Sequence, residues 1–251
     1  FSIALVDDQR VVFSSGFGLA DVKRKTPARA DTIYRVGSIS KLFNAVAVMQ
    51  QVEGGRLDLD DPVQKFAGDF HIQSRFPDAG PITLRQLLSH RSGLIRESPV
   101  GGYFDDQQPT VGASVRSVAD CALVNRPNTQ TRYSNIGATL AGYAAQTVAG
   151  MAFDFYQRQH ILGPLGMSDS SFAITPAVRR KLSNSYMRMA NADGTFRHEA
   201  SPLFELGTIP AGNLYASAED LARFMSFIFA EGHTADGNLL LRPETLKEMC
   251  T

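Results

Sequence analysis

Cysteine is nearly missing from this chain. Cys121 and Cys250 are too few for a disulfide framework, and their spacing fits no zinc-ligand set. Net charge is missing too: 25 Lys and Arg balance 25 Asp and Glu. That removes the global electrostatic signature of a nucleic-acid or anionic-membrane binder, so no nucleic acid is expected and a small neutral or locally polar molecule is the expected partner. No apolar run approaches a membrane span. His71, His90, His160, His198 and His233 show no metal spacing, and His198-Glu199 lacks the second histidine of a zinc helix. Gly16-Phe17-Gly18 lacks the last glycine and the helix of a dinucleotide fingerprint, and no serine sits in a G-x-S-x-G elbow. Neither a metal nor a cofactor is expected. The chain opens in Phe1-Ser2-Ile3-Ala4-Leu5-Val6, which reads as a strand already under way without a basic leader and cleavage site. Phe1 is not an initiating methionine, so further residues, including any secretion signal, are expected upstream.

What is present is an ordinary globular composition, with 43% hydrophobic residues to build a substantial core. Residues 1–6 and 10–19 are rich in β-branched and aromatic side chains and flank Asp7-Asp8-Gln9, which predicts an antiparallel hairpin. Arg35-Val36-Gly37-Ser38 then leads into apolar positions at Ile39, Leu42, Phe43, Val46, Ala47 and Met49, ending at Gly54-Gly55. This predicts a helix with Ser38 at its N-terminal end. From Asp58 to Pro127 the chain is loop-rich, with a short helix from Thr83 to Leu88 and a polar stretch from Glu97 to Thr110 bordering a cleft. Further helices are predicted over 135–148, 152–162 and 217–230, the last capped in the Ser217/Asp220 region. Strands first and helices after them argue for a mixed α/β (α+β) arrangement, not an alternating parallel sheet. Asp60-Asp61 and Asp105-Asp106 read as solvated loop charges.

Two short motifs carry chemistry. Ser38-Ile39-Ser40-Lys41 puts a serine one helical turn from a lysine, so that the two share a face. The pattern alone is weak, since about half a match arises by chance in a chain of this composition, and a capping serine followed by a solvated lysine would look the same. Tyr133-Ser134-Asn135 lies just before a predicted helix, where a loop aims a phenol and a carboxamide into a cleft. A buried tyrosine beside an asparagine cap is the plainer alternative. Together the motifs describe an acyl-transfer site without a histidine base. A serine hydroxyl is a poor nucleophile at neutral pH, so a proton acceptor must lie within hydrogen-bond reach, and Lys41 and Tyr133 are the candidates.

With these motifs the chain resembles the serine β-lactamase and penicillin-binding-protein superfamily, most closely its class C β-lactamase-like branch of esterases (family VIII), D-amino-acid peptidases and related hydrolases. The resemblance extends to Leu87-Leu88-Ser89-His90-Arg91-Ser92-Gly93-Leu94, Gly163-Pro164-Leu165-Gly166-Met167, and Pro210-Ala211-Gly212-Asn213-Leu214 ahead of Ala218-Glu219-Asp220-Leu221-Ala222-Arg223-Phe224. It implies a β-lactamase/transpeptidase-like fold, an antiparallel sheet flanked by helices, forming one hydrolase domain over 1–251 with an irregular helical lobe at roughly 58–170. It implies that Ser38 attacks the carbonyl and offers its N–H to the oxyanion, that Lys41 and Tyr133 exchange the proton, and that Asn135 binds substrate. Which of Lys41 and Tyr133 is the general base stays open, as do the oligomeric state and the choice among ester, β-lactam and D-amino-acid peptide. A periplasmic or secreted location is the family expectation.

One family element is not found: a strand carrying Lys or His, a small residue and Gly, which supplies the second oxyanion donor. Arg91-Ser92-Gly93 precedes Tyr133, and His233-Thr234-Ala235 lacks the glycine. The expectation is therefore a fragment cut at both ends, with an open sheet edge and an uncovered apolar face on the helix after Ser38 that favour aggregation. If the chain were complete, a non-catalytic binding or sensor domain would be the alternative function.

Overall fold

The computed structural model describes residues 1–103 and 105–250. Strands β1 (Ser2–Asp7) and β2 (Arg10–Gly16) form the expected antiparallel hairpin, with a bulge between Leu5 and Val6. Its two-residue turn places Asp8 and Gln9 at φ of 46° and 60°, the backbone that matches the right-handed twist of the strands. β3 (Leu19–Asp21) and β4 (Thr26–Pro27) form a second short pair. β5 (Ile33–Gly37) runs directly into the Ser38 turn.

α1 (Ser40–Glu53) is the central helix. Phe43, Val46, Ala47, Val48 and Met49 are all buried along it, and its last turn ends at Gly54 as the sequence predicts. α2 (Leu84–Leu88) carries a reciprocal cap between Thr83 and Gln86, and α3 (Val111–Arg116) follows the Glu97–Thr110 stretch. α4 (Asn135–Ala149) packs against α1 and closes at Gly150 in the left-handed conformation. α5 (Phe153–Gln157) continues as a π-turn over Arg158–Leu162, and α6 (Pro176–Lys181) leads to the β6 (Tyr186–Ala190) and β7 (Phe196–Ala200) hairpin. α7 (Ile209–Gly212), β8 (Leu214–Ser217), α8 (Ala218–Phe229) and α9 (Pro243–Met249) complete the order. An aromatic cluster joins the helices: the Phe43 ring centroid lies 4.2 Å from that of Phe224 and 6.4 Å from that of Phe172.

The fold is a mixed α+β arrangement, with two departures from the sequence reading. Strands do not all precede helices, because β6, β7 and β8 come late; β8 pairs antiparallel with β5, Ile33 opposite Ser217. Among the described residues the strands pair two by two, in four separate units. The uncovered apolar surface is also wider than expected. α1 is buried along most of its length, with Leu42 exposed beside the Ser38 turn. The first hairpin adds a second such surface, with Leu5 and Val12 53% and 60% exposed.

Candidate active site

Ser38 lies in the turn between β5 and α1. Gly37, at φ +56°, makes that turn possible because a side chain in this conformation is strained. The helix proper begins two residues after Ser38, but the turn is wound like one: the Lys41 N–H donates to the Ser38 carbonyl at 3.1 Å and the Leu42 N–H to the Ile39 carbonyl at 3.1 Å. Ser40 anchors it from beneath. Its buried hydroxyl donates to the Gly37 carbonyl at 2.6 Å and accepts from the Leu214 N–H at 2.9 Å, tying the turn to β8. Ser38 itself is exposed, and its N–H has no partner among the described residues.

The residues singled out in the sequence converge here. The Tyr133 hydroxyl donates to Ser38 Oγ at 2.6 Å, and Lys41 Nζ stands 3.2 Å from the same oxygen. Lys41 Nζ also donates to Asn135 Oδ1 at 2.8 Å and to the Ala211 carbonyl at 2.7 Å. Asn135 Nδ2 in turn donates to Glu97 Oε1 at 2.6 Å, which fixes the amide so that its oxygen faces Lys41. The asparagine does not cap its helix. Ser134 does, accepting the Gly137 N–H at 2.9 Å, and this frees the Asn135 carboxamide for the cluster.

Burial pushes the half-buried Lys41 ammonium below its usual pKa, while Tyr133 and then Glu97 pull it back up. The ring centroid of Tyr133 lies 4.8 Å from Lys41 Nζ and 5.1 Å from Arg96 Cζ, so two cations flank the phenol.

Glu97, Ala211 and His90 also belong to this constellation, although the sequence reading assigned them no role. Glu97 stood at the edge of a segment marked as cleft-lining, and its neighbour Arg96 accepts the Asn135 N–H through its backbone carbonyl at 2.7 Å. Ala211 contributes only its carbonyl, which residue type cannot announce. Arg35 holds its neighbours in place, donating to the Gly212 carbonyl at 3.3 Å and to Asn213 Oδ1 at 2.7 Å. Gly142 on α4 allows that segment to sit so close: a Cβ there would stand 2.6 Å from the Pro210 ring. Neither decoy for the missing element reaches Ser38. The Arg91 guanidinium bonds the Asn128 carbonyl, and the His233 ring pairs with the Ala230 carbonyl. Asp105 is more than a solvated charge, since its carboxylate accepts the Gly101 N–H at 2.7 Å and the Gln107 N–H at 3.0 Å and braces the loop. Among the described residues no cluster of metal-ligating side chains occurs, and no helix is long and apolar enough to cross a membrane.

An antiparallel α+β fold with a serine, a lysine and a tyrosine gathered at the start of the central helix defines the class of penicillin-recognising and β-lactamase-like proteins. A sequence model described as Beta-lactamase matches residues 1–250, and the chain belongs to that family. Among curated relatives it is 31% identical over 235 residues to Beta-lactamase-like protein 2 of Dictyostelium discoideum, covering 90% of this chain and 42% of the relative. It is 26% identical to Protein flp of Staphylococcus aureus strain MW2, covering 90% and 44%. The chain thus spans less than half the length of these relatives. Among solved structures, the octameric penicillin-binding protein homologue from Pyrococcus abyssi is 30% identical with a TM-score of 0.80, covering 100% of this chain and 55% of that one. The D-amino acid amidase from Ochrobactrum anthropi SV3, solved with D-phenylalanine, is 26% identical with a TM-score of 0.78, covering 98% and 68%.

Proposed function

We propose that the chain carries the acyl-transfer site of a serine hydrolase, in which Ser38 becomes acylated by an ester, a D-amino-acid peptide or amide, or a β-lactam. The observation that carries this reading is the position of Ser38 Oγ between Tyr133 Oη at 2.6 Å and Lys41 Nζ at 3.2 Å. The proposed unit is one hydrolase domain over 1–251, with 58–170 as its irregular lobe.

The proton inventory divides the roles. The Asn135 and Ala211 oxygens can only accept, so two of the Lys41 N–H bonds are committed to them and the third position of Nζ faces Ser38. With two of its donors committed and the third aimed at the serine oxygen, Lys41 has no lone pair facing Ser38, whereas the Tyr133 oxygen does lie against it. The 2.6 Å contact makes the Tyr133 oxygen the nearest hydrogen-bond partner of Ser38 Oγ. Tyr133 is therefore the proposed base. It takes the Ser38 proton as the serine oxygen bonds the carbonyl carbon, and the carbonyl π pair moves onto oxygen. The oxyanion faces the free Ser38 N–H. Collapse re-forms the carbonyl and expels the alkoxide or amine, which receives the proton back from Tyr133. Water repeats the cycle on the acyl-enzyme, and Asn135 orients the substrate. Removal of one oxyanion donor costs roughly 10²–10³ in rate, which sets the weight of the Ser38 N–H in this step.

Esters and D-amino-acid amides rank above β-lactams. No deacylation base dedicated to β-lactams can be named in the cluster, and a 26%-identical neighbour is a D-amino acid amidase. The test is turnover of p-nitrophenyl acetate and D-phenylalanine amide against nitrocefin. Faster ester or amide hydrolysis is expected, and efficient nitrocefin hydrolysis would reverse the order.

A further inference from the structure

We infer that His90 is a positioning residue for Tyr133: its imidazole and its own carbonyl bracket the tyrosine from both sides and fix the phenol over Ser38. The inference rests on the acyl-transfer reading above and adds a residue to it.

Three contacts from this one residue reach three consecutive residues. The His90 carbonyl accepts the Arg132 N–H at 2.7 Å. The His90 ring packs on the Tyr133 ring, centroids 4.5 Å apart and tilted by 38°. His90 Nδ1 accepts the Ser134 N–H at 3.3 Å. The backbone on either side of Tyr133 is thereby held by the group that also supports its side chain. A ring pinned at its two flanking peptides and on one neighbouring surface loses most of its freedom to swing off Ser38, and misplacement of a reacting group by about 1 Å can cost about 10²-fold in rate.

The bracket demands an unusual backbone and a defined protonation state. His90 sits at φ +58°, a left-handed conformation that a non-glycine residue adopts at a cost. That conformation lets its carbonyl and its ring serve the same segment. An Nδ1 that accepts a hydrogen bond must be bare, so the imidazole is neutral with its proton on Nε2. Its surroundings favour this: burial, and then the nearby Lys41 charge, hold its pKa below the ordinary 6.5. The next residues extend the cradle. Ser134 Oγ donates to the Ile95 carbonyl at 2.7 Å, and the Arg96 carbonyl and Glu97 carboxylate receive Asn135. The segment from His90 to Glu97 is thus the template on which the tyrosine motif is laid down.

The test compares Ser38 labelling rates by a fluorophosphonate in the 251-residue chain and in His90→Gly and His90→Asn. Glycine removes ring and acceptor while accepting the left-handed backbone; asparagine tolerates that backbone and restores an acceptor near Nδ1. With all three folded by circular dichroism, His90→Gly is expected to label about tenfold or more slowly and His90→Asn to recover most of the loss. A glycine variant as fast as the unmodified chain would overturn the inference, as would an asparagine variant no faster than glycine. Nitrogen-15 NMR of the unmodified chain at neutral pH supplies a readout that needs no variant. The Nε2–H tautomer is expected at His90, and an imidazolium or an Nδ1–H tautomer would overturn the bracket. Failure of the unmodified chain to label at Ser38 would refute the acyl-transfer reading instead, leaving the tautomer to judge the bracket separately.

Discussion

Ser38 owes its setting to side chains that begin far apart: Lys41 from the same turn, and Tyr133 and Asn135 from the start of α4, nearly a hundred residues on. At this scale the chemistry is one of competing acceptors. Lys41 loses solvent and would lose its proton more readily, yet two fixed oxygens and a phenol surround it, so the same burial that depresses its pKa also gives its N–H groups defined places to go. His90 shows the simpler case, and its consequence for stability has a definite sign. Its folded-state pKa lies below 6.5, so the unfolded chain takes up the proton first as pH falls. Stability therefore rises with pH across the window just below 6.5 and is lost as pH drops through it. Urea melts at a series of pH values are expected to show this loss in the unmodified chain and a flatter dependence in His90→Asn. Parallel curves would contradict the assignment of a neutral imidazole in the fold.

Elements explain which parts of the site were legible beforehand. α1 announces itself through 3.6-residue apolar spacing and α8 through its cap at Ser217, whereas α2 and α4 are capped by Thr83 and Ser134, which the sequence reading did not name as caps; at α4 it offered Asn135 instead. The Ser38–Lys41 proximity follows from helical spacing, and Tyr133 from its place before α4. β8 escaped notice because Leu214, Tyr215, Ala216 and Ser217 are all buried, leaving no alternation to read, and because it runs straight into α8. β6 and β7 escaped for the opposite reason, since most of their residues face solvent. The carbonyl of Ala211 could not be foreseen, because its place is set by contact between α4 and α7. That contact gives the element-scale prediction. Alanine at position 142 gains about 1 kcal/mol in helix propensity over glycine. Its Cβ would meet the Pro210 ring at 2.6 Å, and overpacking of this kind costs typically about 1–3 kcal/mol. Gly142→Ala is therefore expected to lower the melting temperature and to slow Ser38 labelling as the Ala211 carbonyl shifts from Lys41. An unchanged melt with unchanged labelling would show that the contact does not set the site.

Across the whole molecule, the site is where distant segments meet: the Ser38 turn, the His90–Glu97 template, the start of α4, and α7 with β8 behind it. The helices around α1 form the continuous core, whereas the first hairpin leaves Leu5, Val12 and Phe13 exposed. Patches of that kind promote association, so activity is best read from a covalent event on a sample shown to be folded and dispersed. Intact-mass spectrometry of the chain and of Ser38→Ala after exposure to a fluorophosphonate provides that event. One adduct on the unmodified chain and none on the variant is the predicted result. No adduct on the folded unmodified chain, or equal labelling of both, would contradict the claim that Lys41 and Tyr133 activate Ser38.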